Sequence, residues 1–376
     1  MRSPTHAFNR LEVIVRNVTW CFSLCALFVV IAPAVTLAQE LPFRGNDLLA
    51  GERFATSVHA VTGEQDEGKD VGVVRHTGSN KWTLLKQGKT ALTVNTNHLA
   101  YGKPIYAMLP GRVVGCWRNV PENPPPNLHA NYKLGRIPGN GNHVKILQDD
   151  GRTTTYAHFQ PGTVPTALCP HNTQYVNAKK DAAGNPERYK DGTIVADTKP
   201  TEVTNGARVA TGQKIGKIGN SGSSSAPHLH VHIQEANGAP SVMRFARGLT
   251  TPFPNYIASL DGPWTPLAGG ALPKADILIW PPRPAGNVTW NGVDDSAFQR
   301  TFEHFVDSGM MPDTISCRNN GATYDSTWVP AQGAFIAHHR MSAQEFSTKK
   351  ATYQEQGWRV VSQYQCGLVF AAVWRK

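Results

Sequence analysis

A mainly β, antiparallel architecture followed by a smaller α+β repeat module is the fold class this sequence predicts. Three observations carry it. Gly and Pro, 34 and 27 of 376 residues, break the chain so often that elements must be short, which excludes a helical bundle. Short β-branched runs recur between those turns from residue 99 to residue 234, as strands joined by tight connections require. Residues 287–376 hold two copies of one helix-and-strand pattern. A hydrophobic share of 40% is enough for packed cores, so a disordered or fibrous chain is excluded as well.

The N-terminus sets the compartment. Arg2, Arg10 and Arg16 precede an uncharged run over residues 18–35, and Thr36-Leu37-Ala38 places small residues around a larger one, the pattern of a secretory signal cleaved after Ala38. Residues 1–38 are therefore expected to be a signal peptide and the mature chain to be secreted or periplasmic. The alternative is an uncleaved anchor, since the uncharged stretch is long enough to span a bilayer. Leu24 stands before Cys25 where a lipid-attachment site needs a small residue. Cys21 and Cys25 leave with the signal. Cys116, Cys169, Cys317 and Cys366 remain, an even number in an exported chain and so expected to form disulfides. Four cysteines allow three pairings; proximity and the division of the chain favour Cys116–Cys169 and Cys317–Cys366. With no Cys-x-x-Cys in the sequence, zinc-ribbon and thioredoxin chemistry fall away. The net charge of +10 suits an acidic partner. In an exported protein that partner is an anionic cell-wall polymer rather than nucleic acid, and no stable membrane insertion is expected once the signal is removed.

Residues 39–93 are polar and turn-rich, with apolar runs at 71–74 and 82–85; they predict a β-rich lead-in without chemistry of its own. Residues 94–262 predict an antiparallel sheet domain, with strands at 105–107, 112–114, 143–147, 153–157, 214–218 and 230–234. Inserts at 121–138 and 165–203 interrupt it and are expected to be lids or walls. A Pro-rich linker over 263–286 follows. In the repeat module, 287–376, Phe298 precedes Gly309 by eleven residues and Phe346 precedes Gly357 by eleven. Ser342 and Glu345 form a capping box at the second helix, and Asp294 holds the matching place in the first. Phe298, Phe302 and Phe305 share one helical face and predict core. Each copy reads as a helix and then two strands, closed by Gly at the helix end. Equivalent cysteines, Cys317 and Cys366, are expected to link the copies. His338-His339 are expected in an exposed loop.

The densest chemistry is Pro227-His228-Leu229-His230-Val231-His232. On a strand these alternate histidines share a face, which suits a metal ligand beside a general base; a His-rich surface strand is the bland alternative. Around the cluster stand Gly102-Lys103-Pro104-Ile105-Tyr106-Ala107, Gly111-Arg112-Val113-Val114, Gly141-Asn142-His143-Val144, Tyr156-Ala157-His158 and the run from Gly206 to Gly222. In this order and spacing the segment, roughly residues 95–236, resembles the lysostaphin-type (LytM-like) zinc endopeptidases that cut peptidoglycan cross-bridges. The resemblance implies a peptidase-like antiparallel sheet built on a duplicated hybrid motif, an open groove and a zinc cofactor. It also implies peptidoglycan, or another anionic wall polymer, as partner.

Carried over residue by residue, the resemblance makes His230 a zinc ligand and gives His158 and His228 the catalytic handling of protons. The family's remaining ligands come from a His-x-x-x-Asp motif just before the Gly-x-Pro turn. Here Leu92 and Thr96 occupy those places. Asn95, Asn97 and His98 are the nearest donors, and His98 is expected to supply the second ligand through a shortened loop. A third must then come from His76, His143, His171 or His232, because catalytic zinc takes three protein ligands and a water. With that set complete the expectation is a metalloendopeptidase; without it, a degenerate domain that binds the wall or regulates. The C-terminal copies resemble, less specifically, the repeats beside polyglycine hydrolases, on Gly357-Trp358-Arg359 and Val373-Trp374, with Met310 departing from the pattern after Gly309. That resemblance implies accessory binding.

Overall fold

The structure is a computed structural model describing residues 39–376, apart from residues 50, 58–62, 64, 261, 268, 282–286 and 308–309. The expected signal peptide, Gly309 and part of the Pro-rich segment lie outside the described residues. Among those described, the principal sheet runs through β1 (Glu52–Ser57), β2 (Lys69–Gly78), β3 (Gly111–Trp117), β4 (His143–Gln148), β5 (Thr153–Ala157), β6 (Leu229–Gln234), β7 (Leu249–Pro252) and β8 (Ile277–Trp280). Their spatial order is β7-β8-β1-β2-β6-β5-β4-β3, and every neighbouring pair is antiparallel. The mainly β class is therefore as expected.

Two boundaries need correction. Residues 39–93 are not a separate lead-in, because β1 and β2 lie in the middle of this sheet. The supposed linker, 263–286, supplies Thr265–Pro266 and β8, which pair with β7 and β1. The reason is burial: all four residues of β8 are inside the protein, and an apolar Ile-Leu-Ile-Trp run gains far more from sheet pairing than from solvent. Pro281 directly follows the strand.

Alternation divides the sheet into two faces. Leu229, Val231 and Ile233 of β6 join Val71, Val73, Val144, Ile146 and Tyr156 in the main core. The opposite face carries His230 and His232. The inserts pack with Trp117 of β3 and Val120 in a smaller core, through Tyr132, Ile137, Val176 and Ala196, and are stapled to β3 by Cys116–Cys169 with a Cα–Cα distance of 5.6 Å. Closing a loop of 53 residues contributes about 4 kcal/mol in the chain-entropy picture.

The C-terminal module holds β9 (Val288–Asp294), α1 (Asp295–Asp307), β10 (Met310–Arg318), β11 (Thr323–Pro330), β12 (Phe335–Met341), α2 (Ala343–Glu355), β13 (Arg359–Cys366) and β14 (Val369–Arg375). The two sheets have the same order, β9-β11-β10 and β12-β14-β13, so each copy is strand, helix, strand, strand. The leading strand of each copy is an addition to the expected unit. His338 and His339 accordingly lie on β12 rather than in a loop, because their strand pairs with β14. His338 Nε2 and the Tyr353 hydroxyl are 2.8 Å apart, and His339 packs edge-on against Phe298 and Tyr324. The capping box at Ser342 and Glu345 is formed, and Cys317–Cys366 joins the two copies. Phe298 and Phe305 are fully buried. Phe305 meets Trp280 of the principal sheet and Trp328 of β11, so the module packs on the β7–β8 end through aromatic rings.

Candidate active site

The site forms where β2 and β6 meet. Register places Asp70 opposite His230 and Ala157 on its other side, so an acid and an imidazole from strands 160 residues apart become neighbours. His230 Nδ1 lies 2.8 Å from Asp70 Oδ1, and its Nε2 lies 2.8 Å from His232 Nδ1. Gly68 makes room for this ring: a Cβ there would stand 3.2 Å from His230 Cε1 and 2.9 Å from the Gln65 carbonyl oxygen.

His228 immediately precedes β6. Its Nδ1 donates to the Ala226 carbonyl at 2.8 Å, which turns Nε2 toward Asp70 Oδ1 at 3.5 Å. Burial opposes a charge on His228, yet the hydrogen bond and negative charge of Asp70 raise its pKa overall. Burial likewise works against the Asp70 carboxylate, but hydrogen bonds from His228 and His230 and their positive charges hold it far below the usual carboxylate range.

His158 comes from the loop after β5. Its backbone is left-handed, with φ 67°, a conformation that non-glycine residues adopt at a cost and that clusters at functional sites. Bonds on both sides hold it there: its N–H donates to the Asn140 carbonyl at 3.0 Å and its own carbonyl accepts from Gly219 at 3.0 Å. The ring Nδ1 donates to the Ser221 carbonyl at 2.7 Å, leaving Nε2 as the acceptor. Burial first, then the positive charges of His228 and His230, keep this imidazole well below its ordinary pKa. Its ring centroid lies 4.8 Å from that of His228. A neutral acceptor thus faces a donor biased toward its charged form, a pairing suited to accepting one proton and donating another.

The expected residues fare differently. His158, His228 and His230 come together. His98 does not join them: its Nε2 is bonded to the Leu92 carbonyl at 2.8 Å, and its backbone bridges to Leu85. The shortened loop turns the ring back onto its own chain, so His98 is corrected from ligand to loop anchor. Among the reserve candidates, His232 alone reaches the cluster. His76 packs on Trp82. His171 stacks on Trp117. His143 is buried with Nδ1 on the Gly141 carbonyl at 2.8 Å; burial, with the charges of Lys145 and His171, lowers its pKa to about 4. Asn95 bonds the Asn123 carbonyl and Asn220. Asp70 was invisible at the level of motifs, because it sits far upstream of the turn where a ligand was sought. Its only signal was a carboxylate beginning the alternating run Asp70-Val71-Gly72-Val73.

Zinc can be tested against these donors. Asp70 and His230 make one carboxylate–imidazole pair, but both ring nitrogens of His230 are already engaged. Among the described residues, no group of three or more His, Cys, Asp or Glu side chains is arranged to hold a metal ion. The described residues by themselves therefore do not complete a set of three protein ligands for a catalytic zinc.

The structure thus gathers His158, His228 and His230 with Asp70 at one face of an antiparallel sheet. Family comparison agrees for part of the chain: residues 188–241, which include His228 and His230, match the model of peptidase family M23. Residues 332–376 match the polyglycine hydrolase-like structural repeat. No curated protein matches the chain. Among solved structures, the catalytic domain of the antimicrobial peptidase lysostaphin from Staphylococcus simulans is similar at 21% identity, covering 41% of this chain and 82% of that one, with a TM-score of 0.19. A zinc-containing peptidase from Vibrio cholerae is similar at 15% identity, covering 46% of this chain and 48% of that one, with a TM-score of 0.20.

Proposed function

We propose that this is an exported, peptidoglycan-directed protein of the M23 peptidase class that engages wall peptides over the histidine face of its sheet, and that it does so by binding rather than by hydrolysis. The carrying observation is the donor set: His230 is held between Asp70 and His232, and no three-ligand group stands among the described residues. The matched M23 segment and the basic charge of +10 support a wall polymer as partner, and the C-terminal repeats would add a second contact with it.

One observation favours hydrolysis instead. Asp70 stands 2.8 Å from His230, supplying a carboxylate beside the inherited ligand from another strand. If these two residues held zinc, the metal would supply Lewis-acid activation of water, and His158 and His228 would accept and donate the protons. The two functions separate in one experiment. Purified mature protein is assayed for zinc per chain and for peptide release from sacculi, alongside His230→Ala. Binding to sacculi with substoichiometric zinc and no release is the expected result. One zinc per chain with release that His230→Ala abolishes would establish the hydrolase and overturn simple binding.

A further inference from the structure

Residues 71–121 contain seven Lys and Arg residues and no Asp or Glu, in a chain that elsewhere mixes both signs. Inside this stretch a loop over residues 84–99 follows the short strand Lys81–Thr83, which pairs with the end of β2. Backbone hydrogen bonds close its base: the Lys86 N–H donates to the Asn97 carbonyl at 2.9 Å and the Leu99 N–H to the Leu84 carbonyl at 2.8 Å. Side chains brace it from within, Asn97 Nδ2 on the Ala91 carbonyl at 2.9 Å and His98 Nε2 on the Leu92 carbonyl at 2.8 Å. Every residue from 87 to 94 is nevertheless exposed. Leu84, Leu92 and Val94 are 44%, 53% and 43% exposed, with Lys86 and Lys89 between them in the chain. Beside the loop, Lys81 bridges to Ile257, and Tyr256 and Ile257 are each more than half exposed.

We infer that the loop over residues 84–94 docks the protein reversibly on an anionic lipid surface. Leu84, Leu92 and Val94 enter the headgroup boundary, and the ammonium groups of Lys86 and Lys89 meet lipid phosphates. The argument rests on two features together. Single exposed aliphatic residues are ordinary on a protein surface, but these stand on a hydrogen-bonded loop within an acid-free stretch, which gives their lysines no carboxylate nearby in sequence. Peripheral attachment needs an apolar and a basic contribution acting jointly. A hydrophilic wall polymer would use the lysines and leave the aliphatic side chains in water. Because the backbone is already braced, little ordering opposes the contact. The loop is also tied to the histidine site: Asn95 Nδ2 donates to the Asn123 carbonyl at 2.9 Å, and Asn220 Nδ2 donates to Asn95 Oδ1 at 3.0 Å. The residue after Asn220 is Ser221, whose carbonyl orients His158. Docking therefore holds the histidine face close to the lipid. This goes beyond the wall-peptide function and does not depend on it.

The test uses full-length mature protein sedimented with large unilamellar vesicles, of phosphatidylcholine alone and of phosphatidylcholine mixed with phosphatidylglycerol. The anionic vesicles are expected to bind about 10-fold or more tightly than the neutral ones. Leu92→Ser combined with Val94→Ser should weaken binding to anionic vesicles about 10-fold and leave binding to sacculi unchanged. Lys86→Gln combined with Lys89→Gln should remove most of the preference for anionic lipid. Both pairs alter exposed side chains, and unchanged melting temperatures verify that the fold is kept. Binding to neither vesicle, or anionic binding that the serine pair leaves intact, overturns the lipid contact. Loss of sacculus binding in the glutamine pair, with no vesicle binding by wild type, overturns it in favour of a hydrophilic wall polymer on this loop. Vesicle binding by protein that does not bind sacculi would overturn the wall-peptide function and leave the lipid contact standing.

Discussion

Asp70→Asn is the most informative single change, because it keeps the shape of the side chain and removes the charge on which the cluster is organised. Asp70 Oδ1 lies 3.5 Å from His228 Nε2, with side-chain exposures of 30% and 20%. At that separation and an effective dielectric of about 20, the attraction between full charges is roughly 5 kcal/mol. Solvent access to Asp70 reduces it by half or more, leaving about 1.5–2.5 kcal/mol. His228 is held above its ordinary value by this partner, so the substitution should lower its pKa. Carbon-resolved NMR of the imidazole Cε1–H groups, titrated from pH 4 to 9 in chelator-containing buffer, reads the change directly. Asp66→Asn, which removes an exposed partner of Lys274, serves as control and should leave His228 unmoved. A shift at His228 below about 0.3 units would refute the ion-pair account and reduce Asp70 to a neutral hydrogen-bond acceptor. The same substitution should flatten the acid limb of the stability curve. A carboxyl depressed in the folded state contributes stability above its unfolded pKa of about 3.9 and loses it as pH falls through the folded value.

Two further outcomes are expected. His143 is buried and its pKa is lowered to about 4, so the unfolded chain binds a proton that the folded chain refuses between about pH 6.5 and that value. Up to about 3 kcal/mol of stability is therefore present above pH 6.5 and lost on descent toward pH 4; urea midpoints of wild type and His143→Gln at pH 7.5 and 4.5 should differ in slope, and parallel slopes would contradict the burial. Phe305→Ala should cost about 3–5 kcal/mol, since its ring fills the contact among Trp280, Trp290 and Trp328. Limited proteolysis should then release the repeat module, and unchanged protease resistance with an unchanged melting temperature would show that the aromatic contact does not join the two parts.

Much of the fold was legible because its signals are local. Thr153–Ala157 is a strand over the residues expected, and β4 and β6 differ from expectation by a single residue at one end. The two disulfides pair as proximity predicted, and Phe298 and Phe305 are core. What escaped were elements whose role depends on a distant partner. The run at 71–74 reads as any apolar strand, and only its place beside β6 gives Asp70 a function. Ile277–Trp280 lies among prolines and glycines and reads as linker, yet β1 and β7 enclose it. His98 stands near the expected position in sequence, but the turn that holds it directs its ring to Leu92.

The chain's own order of residues settled which histidines share a face, because alternation along β6 is a property of one strand. It also settled the short elements, the covalent staples and the two-copy C-terminal module. The tertiary structure alone decided what surrounds those histidines. A carboxylate 160 residues away in the chain becomes a neighbour only through sheet register, and register is fixed by burying Val71, Val73, Leu229, Val231 and Ile233 in a common core, since a slip of one residue would turn every one of them out of it. The same burial that holds this register places Asp70 against His228 and His230, where the carboxylate raises the pKa of His228 and is itself held far below the usual carboxylate range.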